Sequence, residues 1–126
     1  MISIIGAGPS GNYLAHLLAS RGHETHVFED HTRIGTPVQC TGILTQEIEN
    51  IFPVHPRFLT NRINQAKIFS PNGGSLHVTF KKENVIVNRT LFDSHLAEMA
   101  MKAGATYHLG SRYHGNAGKK MRINDH

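Results

Sequence analysis

A chain of 126 residues, 39% hydrophobic and 17% charged, matches one ordinary globular domain with a moderate core, and a second full domain is not expected. Its net charge of +4 falls mostly after Ser111, where Arg112, Lys119, Lys120 and Arg122 face only Asp125. With no basic face interleaved with aromatics, nucleic-acid binding is not expected.

No stretch approaches the roughly 20 apolar residues of a membrane span. No basic segment precedes the apolar run after Met1, so a signal peptide is not expected and the default compartment is the cytoplasm. A single cysteine, Cys40, permits neither an internal disulfide nor, by itself, a zinc site, in keeping with a reducing compartment. Of the ten histidines, His23 and His26 are closest together. They fall in a turn without a further ligand and read as solvated side chains, so no metal is expected.

In chain order, Ile2 to Ile5 is a short apolar run ending at Gly6, the pattern of a buried parallel strand. Leu14, Ala15, Leu17 and Leu18 then give helical spacing from about Pro9 to Arg21, and Gly22 is placed to end the helix. His26, Val27 and Phe28 form the next strand, which stops at Glu29 and Asp30. Together these make a βαβ unit of about thirty residues.

From Asp30 to about Pro56, Gly35, Pro37 and Gly42 punctuate a long loop, with a short helical stretch near Thr45 to Ile51. Loops of this length in compact domains are usually functional. Ala66 to Ser70 and Ser75 to Lys81 alternate around Pro71-Asn72-Gly73-Gly74 and predict a hairpin. Val85 to Val87 reads as a separate short strand. Thr90 with Asp93 predicts a capping-box start to a helix whose apolar positions are Phe92, Leu96, Met99, Ala100 and Ala103. Ala105 to Leu109 predicts one more strand. The last dozen residues show no periodicity and are expected to be mobile.

The strongest chemical signal is Gly6-Ala7-Gly8-Pro9-Ser10-Gly11, directly after a strand and opening a helix. In such a turn the first glycine permits the tight bend, the second lets backbone approach a pyrophosphate, and the third lets helix pack on strand. Helix-start N–H groups and the macrodipole then favour phosphate. Glu29 lies eighteen positions after Gly11, close to the roughly twenty expected for a carboxylate that accepts hydrogen bonds from ribose hydroxyls. The fingerprint alone serves FAD and NAD alike. Its place at the N-terminus and its Gly-Pro-Ser-Gly ending resemble those of many flavoproteins.

Two further segments, Ile34-Gly35-Thr36-Pro37-Val38-Gln39-Cys40-Thr41-Gly42 and Asn88-Arg89-Thr90-Leu91-Phe92-Asp93-Ser94-His95-Leu96-Ala97-Glu98, together with the glycine turn, resemble the geranylgeranyl reductase family of FAD-dependent proteins. The likeness is strongest to the archaeal branch that saturates isoprenoid chains of membrane lipids, and it runs over roughly residues 1–113. It implies an α/β, Rossmann-like FAD/NAD(P)-binding domain, incomplete, with a β-hairpin insertion. On this reading residues 1–113 are a partial N-terminal FAD-binding domain and residues 114–126 a disordered basic tail.

Carried over position by position, the resemblance implies that Gly6, Gly8, Ser10 and Gly11 hold the pyrophosphate and Glu29 the adenosine ribose. Cys40 and Thr41 would lie beside the flavin, Arg89 would contact the cofactor, and Tyr113 would offer backbone to the adenine side. Thr41-Gly42-Ile43 departs from the family's spacing after the cysteine. From the bare sequence Cys40 reads equally as an inert semi-buried thiol, Arg89 as a surface arginine outside a helix start, and Asp93 as a cap. No catalytic residue is named beyond Cys40 as a flavin-side candidate.

The implied activity is reduction of geranylgeranyl double bonds of lipids with FAD and an external electron donor, and the short chain is not expected to perform it alone. The alternatives are a non-catalytic nucleotide-binding fragment, or an FAD-dependent monooxygenase or NAD-dependent oxidoreductase built on the same βαβ unit. An isoprenoid lipid substrate implies contact with a membrane surface.

Overall fold

The computed structural model describes residues 1–118 and 120–124. They form two compact units, one built from residues 1–38 with 90–126 and the other from residues 39–89. The single domain expected from length is thus divided, because the long irregular segment and the hairpin make more contacts among themselves than with the βαβ unit.

The first unit carries β1 (Ile2–Ile5), α1 (Pro9–Ala19), β2 (Thr25–Phe28), α2 (Arg89–Lys102) and β6 (Thr106–His108). Its three strands are parallel in the order β1-β2-β6. Ile2 pairs with Thr25 and His26 with Thr106. The core is alanine-rich: Ile4, Ala7, Ala15, Ala19, Val27, Ala100 and Ala105. Of the apolar positions expected along α1, Ala15 is buried and Leu18 packs against the core while Leu14 is exposed, and Asn12 and Ala19 complete the buried stripe, because a helix packed closely on a strand favours small side chains.

α1 stops at Ala19, and Gly22, at φ +81, donates its N–H to the Ala19 carbonyl at 2.9 Å. α2 begins at Arg89, so Thr90 lies within its first turn rather than ahead of it; Thr90 Oγ1 donates to the Gly35 carbonyl at 3.0 Å, and Asp93 is buried inside the helix. Phe92, Leu96 and Ala100 are buried as expected.

The second unit holds β3 (Ile43–Leu44), a 3-10 turn (Gln46–Asn50), β4 (Leu59–Phe69) and β5 (Ser75–Val87), an antiparallel sheet in the order β3-β5-β4. The predicted hairpin forms, and the segment Val85 to Val87 is the continuation of β5 rather than a separate strand. Gly73, at φ +85, lies in its turn, where its N–H reaches the Ser70 carbonyl at 3.0 Å. Phe58, Val85 and Val87 are the buried apolar side chains of this unit.

The expectation of a disordered tail over residues 114–126 is corrected. Tyr113–Ala117 (β7) pairs antiparallel with Lys120–Ile123 (β8), Tyr113 opposite Ile123 and Ala117 opposite Lys120. Gly118 (φ +63) serves the turn and Gly115 (φ +117) the register shift. The pairing is carried by backbone with mostly exposed side chains, so it writes no apolar periodicity. The part of that expectation falling on Lys119, Asp125 and His126 lies outside the described residues. Among the described residues, no helix is long and apolar enough to cross a membrane.

Candidate dinucleotide-binding site

The glycine turn adopts the geometry its spacing predicts. Gly6 ends β1 at φ +96, a conformation that L side chains rarely adopt, and its N–H meets the Phe28 carbonyl at 2.8 Å. Gly8 precedes α1 in extended conformation (φ −77, ψ −179), and a Cβ there would meet no atom within 4 Å. At Gly11 a Cβ would stand 2.1 Å from the Gly6 carbonyl oxygen and 3.4 Å from Ile4 Cγ2. The third glycine thus lets helix approach strand, and the space beside the second is open. No side chain caps α1, and Pro9 opens it, so N–H groups of its first turn are left for a ligand. Ser10 is exposed in that turn.

Glu29 stands at the end of β2 with a largely buried carboxylate. Oε2 accepts the Ala7 N–H at 2.7 Å, and Oε1 accepts the His31 N–H at 3.0 Å and meets His31 Nδ1 at 2.5 Å. Burial works to raise its pKa, but the Ala7 and His31 N–H donors outweigh it and hold the carboxyl at about 2. Glu29 is therefore an anion fixed against the glycine turn, with an Oε2 lone pair left for a hydroxyl donor. Beside it, Tyr113 lines a cleft of about 230 Å³ with Ile5, Gly6, Phe28, Asp30, Ser111 and Arg112. This cleft opens at the carboxyl ends of β1 and β2, where nucleotides bind in parallel α/β sheets.

A buried polar network went unread in the sequence. Asn12 Nδ2 donates to the Ala7 carbonyl at 2.8 Å and to the Asp93 carbonyl at 3.0 Å, and its Oδ1 accepts the Tyr107 hydroxyl at 2.8 Å. Asn12 ties the glycine turn to α2 and β6. Its signal was present, since Asn12 occupies the same helical stripe as Ala15 and Ala19. Burial pushes the Tyr107 hydroxyl up to about 12.

His26 is not a solvated turn residue. It lies in β2, with Nδ1 3.0 Å from His108 Nε2. Ring centroids 5.3 Å apart and planes 15° from parallel describe an in-plane hydrogen bond between the two imidazoles. Glu29, Asp30 and His31 bring ligand-type atoms within 4.8 Å of one another. His31 Nδ1 sits between the two carboxylates, 2.8 Å from Asp30 Oδ1, which makes the group a hydrogen-bonded cluster.

Cys40, Thr41 and Arg89 belong to the second unit. Cys40 and Thr41 are exposed. The Gly42 N–H is the main influence that lowers the Cys40 thiol below the ordinary cysteine value, and the Arg89 guanidinium adds to it. Gly42 has φ +77, and a Cβ there would lie 2.3 Å from the Val87 carbonyl oxygen and 3.3 Å from Arg89 Cγ. Its own carbonyl accepts the Val87 N–H at 2.9 Å. The departure from the family's spacing at Thr41-Gly42-Ile43 thus coincides with a tight backbone crossing, and the chain brings Cys40 and Arg89 together.

A family profile of the NAD(P)-binding Rossmann-like domain matches residues 4–61. The digeranylgeranylglycerophospholipid reductase of Methanocaldococcus jannaschii is 35% identical over 105 residues, a match covering 82% of this chain and 27% of that protein. The crystal structure of a geranylgeranyl bacteriochlorophyll reductase-like protein from Thermoplasma acidophilum superposes with a TM-score of 0.78 at 27% identity, covering 99% of this chain and 35% of that one. A halogenase PltM variant in complex with FAD, 13% identical, has a TM-score of 0.70 over 99% of this chain and 31% of that one, and shows the fold alone. The chain spans about a quarter of the length of the reductase it matches. By sequence the chain is similar over most of its length to digeranylgeranylglycerophospholipid reductases, and by fold it is a Rossmann-like α/β protein.

Proposed function

We propose that the chain is the FAD-binding portion of a flavoprotein oxidoreductase that reduces geranylgeranyl double bonds of lipids, in peripheral contact with a membrane surface. The observation that carries the reading is the glycine turn: a Gly11 with no room for a Cβ and a Gly8 with open space, in a chain related over most of its length to lipid reductases. These residues fit a dinucleotide. Gly6, Gly8, Ser10 and Gly11 would receive its pyrophosphate and Glu29 the ribose, while Tyr113 would flank the adenine side. Cys40, Thr41 and Arg89 would serve the flavin end, with Arg89 supplying positive charge.

Bound FAD would supply the hydride from its isoalloxazine ring, and the protein's part is to position the cofactor and exclude water. We assign the double-bond chemistry to whole-length proteins of this kind, for which this chain supplies nucleotide binding. The runner-up is an NAD(P) site, favoured by the description of the matching family profile.

The test is incubation of the purified chain with FAD, followed by gel filtration and a visible spectrum. Co-eluting flavin absorbance that Gly8→Val abolishes supports the assignment. A folded chain that retains no flavin but binds NAD(P)H, read by fluorescence, overturns it in favour of the runner-up.

A further inference from the structure

The β4–β5 hairpin carries a surface that nucleotide binding leaves unused. Its register sets Ala66 opposite Val78, Lys67 opposite His77, Ile68 opposite Leu76 and Phe69 opposite Ser75. Because successive side chains alternate between faces, Ala66, Ile68, Leu76 and Val78 share one face, and Lys67, Phe69, His77 and Thr79 share the other. At the tip Ile68 is 57% exposed, Leu76 61% and Phe69 68%, an apolar cluster around a turn where water-facing strands ordinarily place polar groups. The Lys67 ammonium lies over the Phe69 ring, 5.1 Å from its centroid.

Charge along this segment has one sign. From Asn50 to Lys82 there is no Asp or Glu, while Arg57, Arg62, Lys67, Lys81 and Lys82 contribute five cations. Two of them meet acids at the base of the hairpin, Arg62 with Glu49 at 2.6 Å and Lys82 with Glu47 at 3.9 Å. Lys67 carries positive charge beside the tip, and Lys81 adds to it from the strand nearer the base.

We propose that the tip of this hairpin docks on an anionic lipid surface, with Ile68, Phe69 and Leu76 entering the boundary between headgroups and acyl chains and Lys67 meeting lipid phosphates. An amphipathic element with cations on its polar face lies in the interface in this way, and basic residues near an anionic leaflet are each attracted to it. The choice of a bilayer over a protein partner rests on the lipid-reductase reading; the exposed apolar tip and the one-signed charge do not.

The test is co-flotation of the full chain with vesicles of phosphatidylcholine mixed with phosphatidylglycerol, against phosphatidylcholine alone. Binding is expected to the mixed vesicles and to weaken with salt. Lys67→Gln should lower it by about fivefold, and the triple variant Ile68→Ser, Phe69→Ser, Leu76→Ser by at least about tenfold. All three apolar positions are solvent-facing, and circular dichroism checks that the variant folds. Binding that survives the triple variant, or no binding to mixed vesicles, overturns the proposal. So does self-association of the chain that the triple variant dissolves. FAD retention measured on the same samples separates the two readings: vesicle binding can fail while flavin binding stands, and the reverse.

Discussion

Glu29 Oε2 accepts the Ala7 amide N–H at 2.7 Å, so the acid expected to serve ribose also braces the middle of the glycine turn. A carboxyl held at about 2 in the fold, against an ordinary value of 4.5, favours the folded state wherever it is ionised in both states. That contribution is complete above about pH 4.5 and is lost as pH falls through about 2. Glu29→Gln keeps an oxygen for Ala7 and loses the charge. Its urea midpoint at neutral pH is expected to drop by the equivalent of about 1 kcal/mol, with parent and variant converging between pH 4.5 and 2. A gap unchanged across that window would show that Glu29 is not the group responsible.

Gly8 and Gly11 separate binding from folding. Gly8→Ala places a methyl in open space at φ −77, a conformation that alanine adopts freely. Its thermal stability should equal or exceed the parent's by up to about 1 kcal/mol, while flavin affinity falls about tenfold or more as the methyl occupies the pyrophosphate's approach. Gly11→Ala forces a methyl to within 2.1 Å of the Gly6 carbonyl oxygen and should cost about 1–3 kcal/mol or more. Calorimetry and flavin titration on the pair check both. Equal destabilisation by the two would remove the argument that Gly8 faces a ligand.

The parts legible in the sequence were those in which a backbone requirement leaves a residue-level mark. Gly6 needs positive φ and Gly11 needs the absence of a Cβ, so the βαβ unit could be read from its glycines. The β4–β5 hairpin announced itself through alternation around Asn72-Gly73-Gly74. The β7–β8 pair did not, because its bonds are backbone bonds between exposed residues. Asn12 was passed over since an asparagine in a helix reads as surface until its partners, Ala7, Asp93 and Tyr107, are brought together by the fold. The one-signed charge of residues 50–82 was hidden by a whole-chain balance that drew attention to the basic end.

Asn12 leads to a prediction about the core. Asn12→Leu removes the partner of the Tyr107 hydroxyl and of two backbone carbonyls, so it should destabilise by about 2–4 kcal/mol, the cost of leaving such groups unpaired in the interior. Tyr107→Phe removes a single donor and should cost about 1 kcal/mol. A hydroxyl pushed up to about 12 from an ordinary 10 favours the fold below pH 10, and that contribution is lost as pH rises through about 12. Alkaline denaturation followed by tyrosine absorbance should therefore show Tyr107 ionising only as the chain opens, and the Tyr107→Phe variant should lose that step.

Cys40 tests the second unit. The thiolate is the reactive form of cysteine, and here the Gly42 N–H first and the Arg89 guanidinium after it favour that form at an exposed position. At neutral pH Cys40 should alkylate with iodoacetamide faster than free cysteine. Arg89→Met should slow it about two- to threefold, a partial loss because the larger influence is the Gly42 N–H, which the variant keeps. Gly42→Ala should act more broadly. Its Cβ would lie 2.3 Å from the Val87 carbonyl oxygen at φ +77, so the loop must move, at a cost of about 1–3 kcal/mol, and the Cys40 rate should fall toward that of free cysteine. If Gly42→Ala shifts stability while the alkylation rate stays high, the Gly42 amide is not what activates the thiol, and Arg89 would have to supply the effect alone.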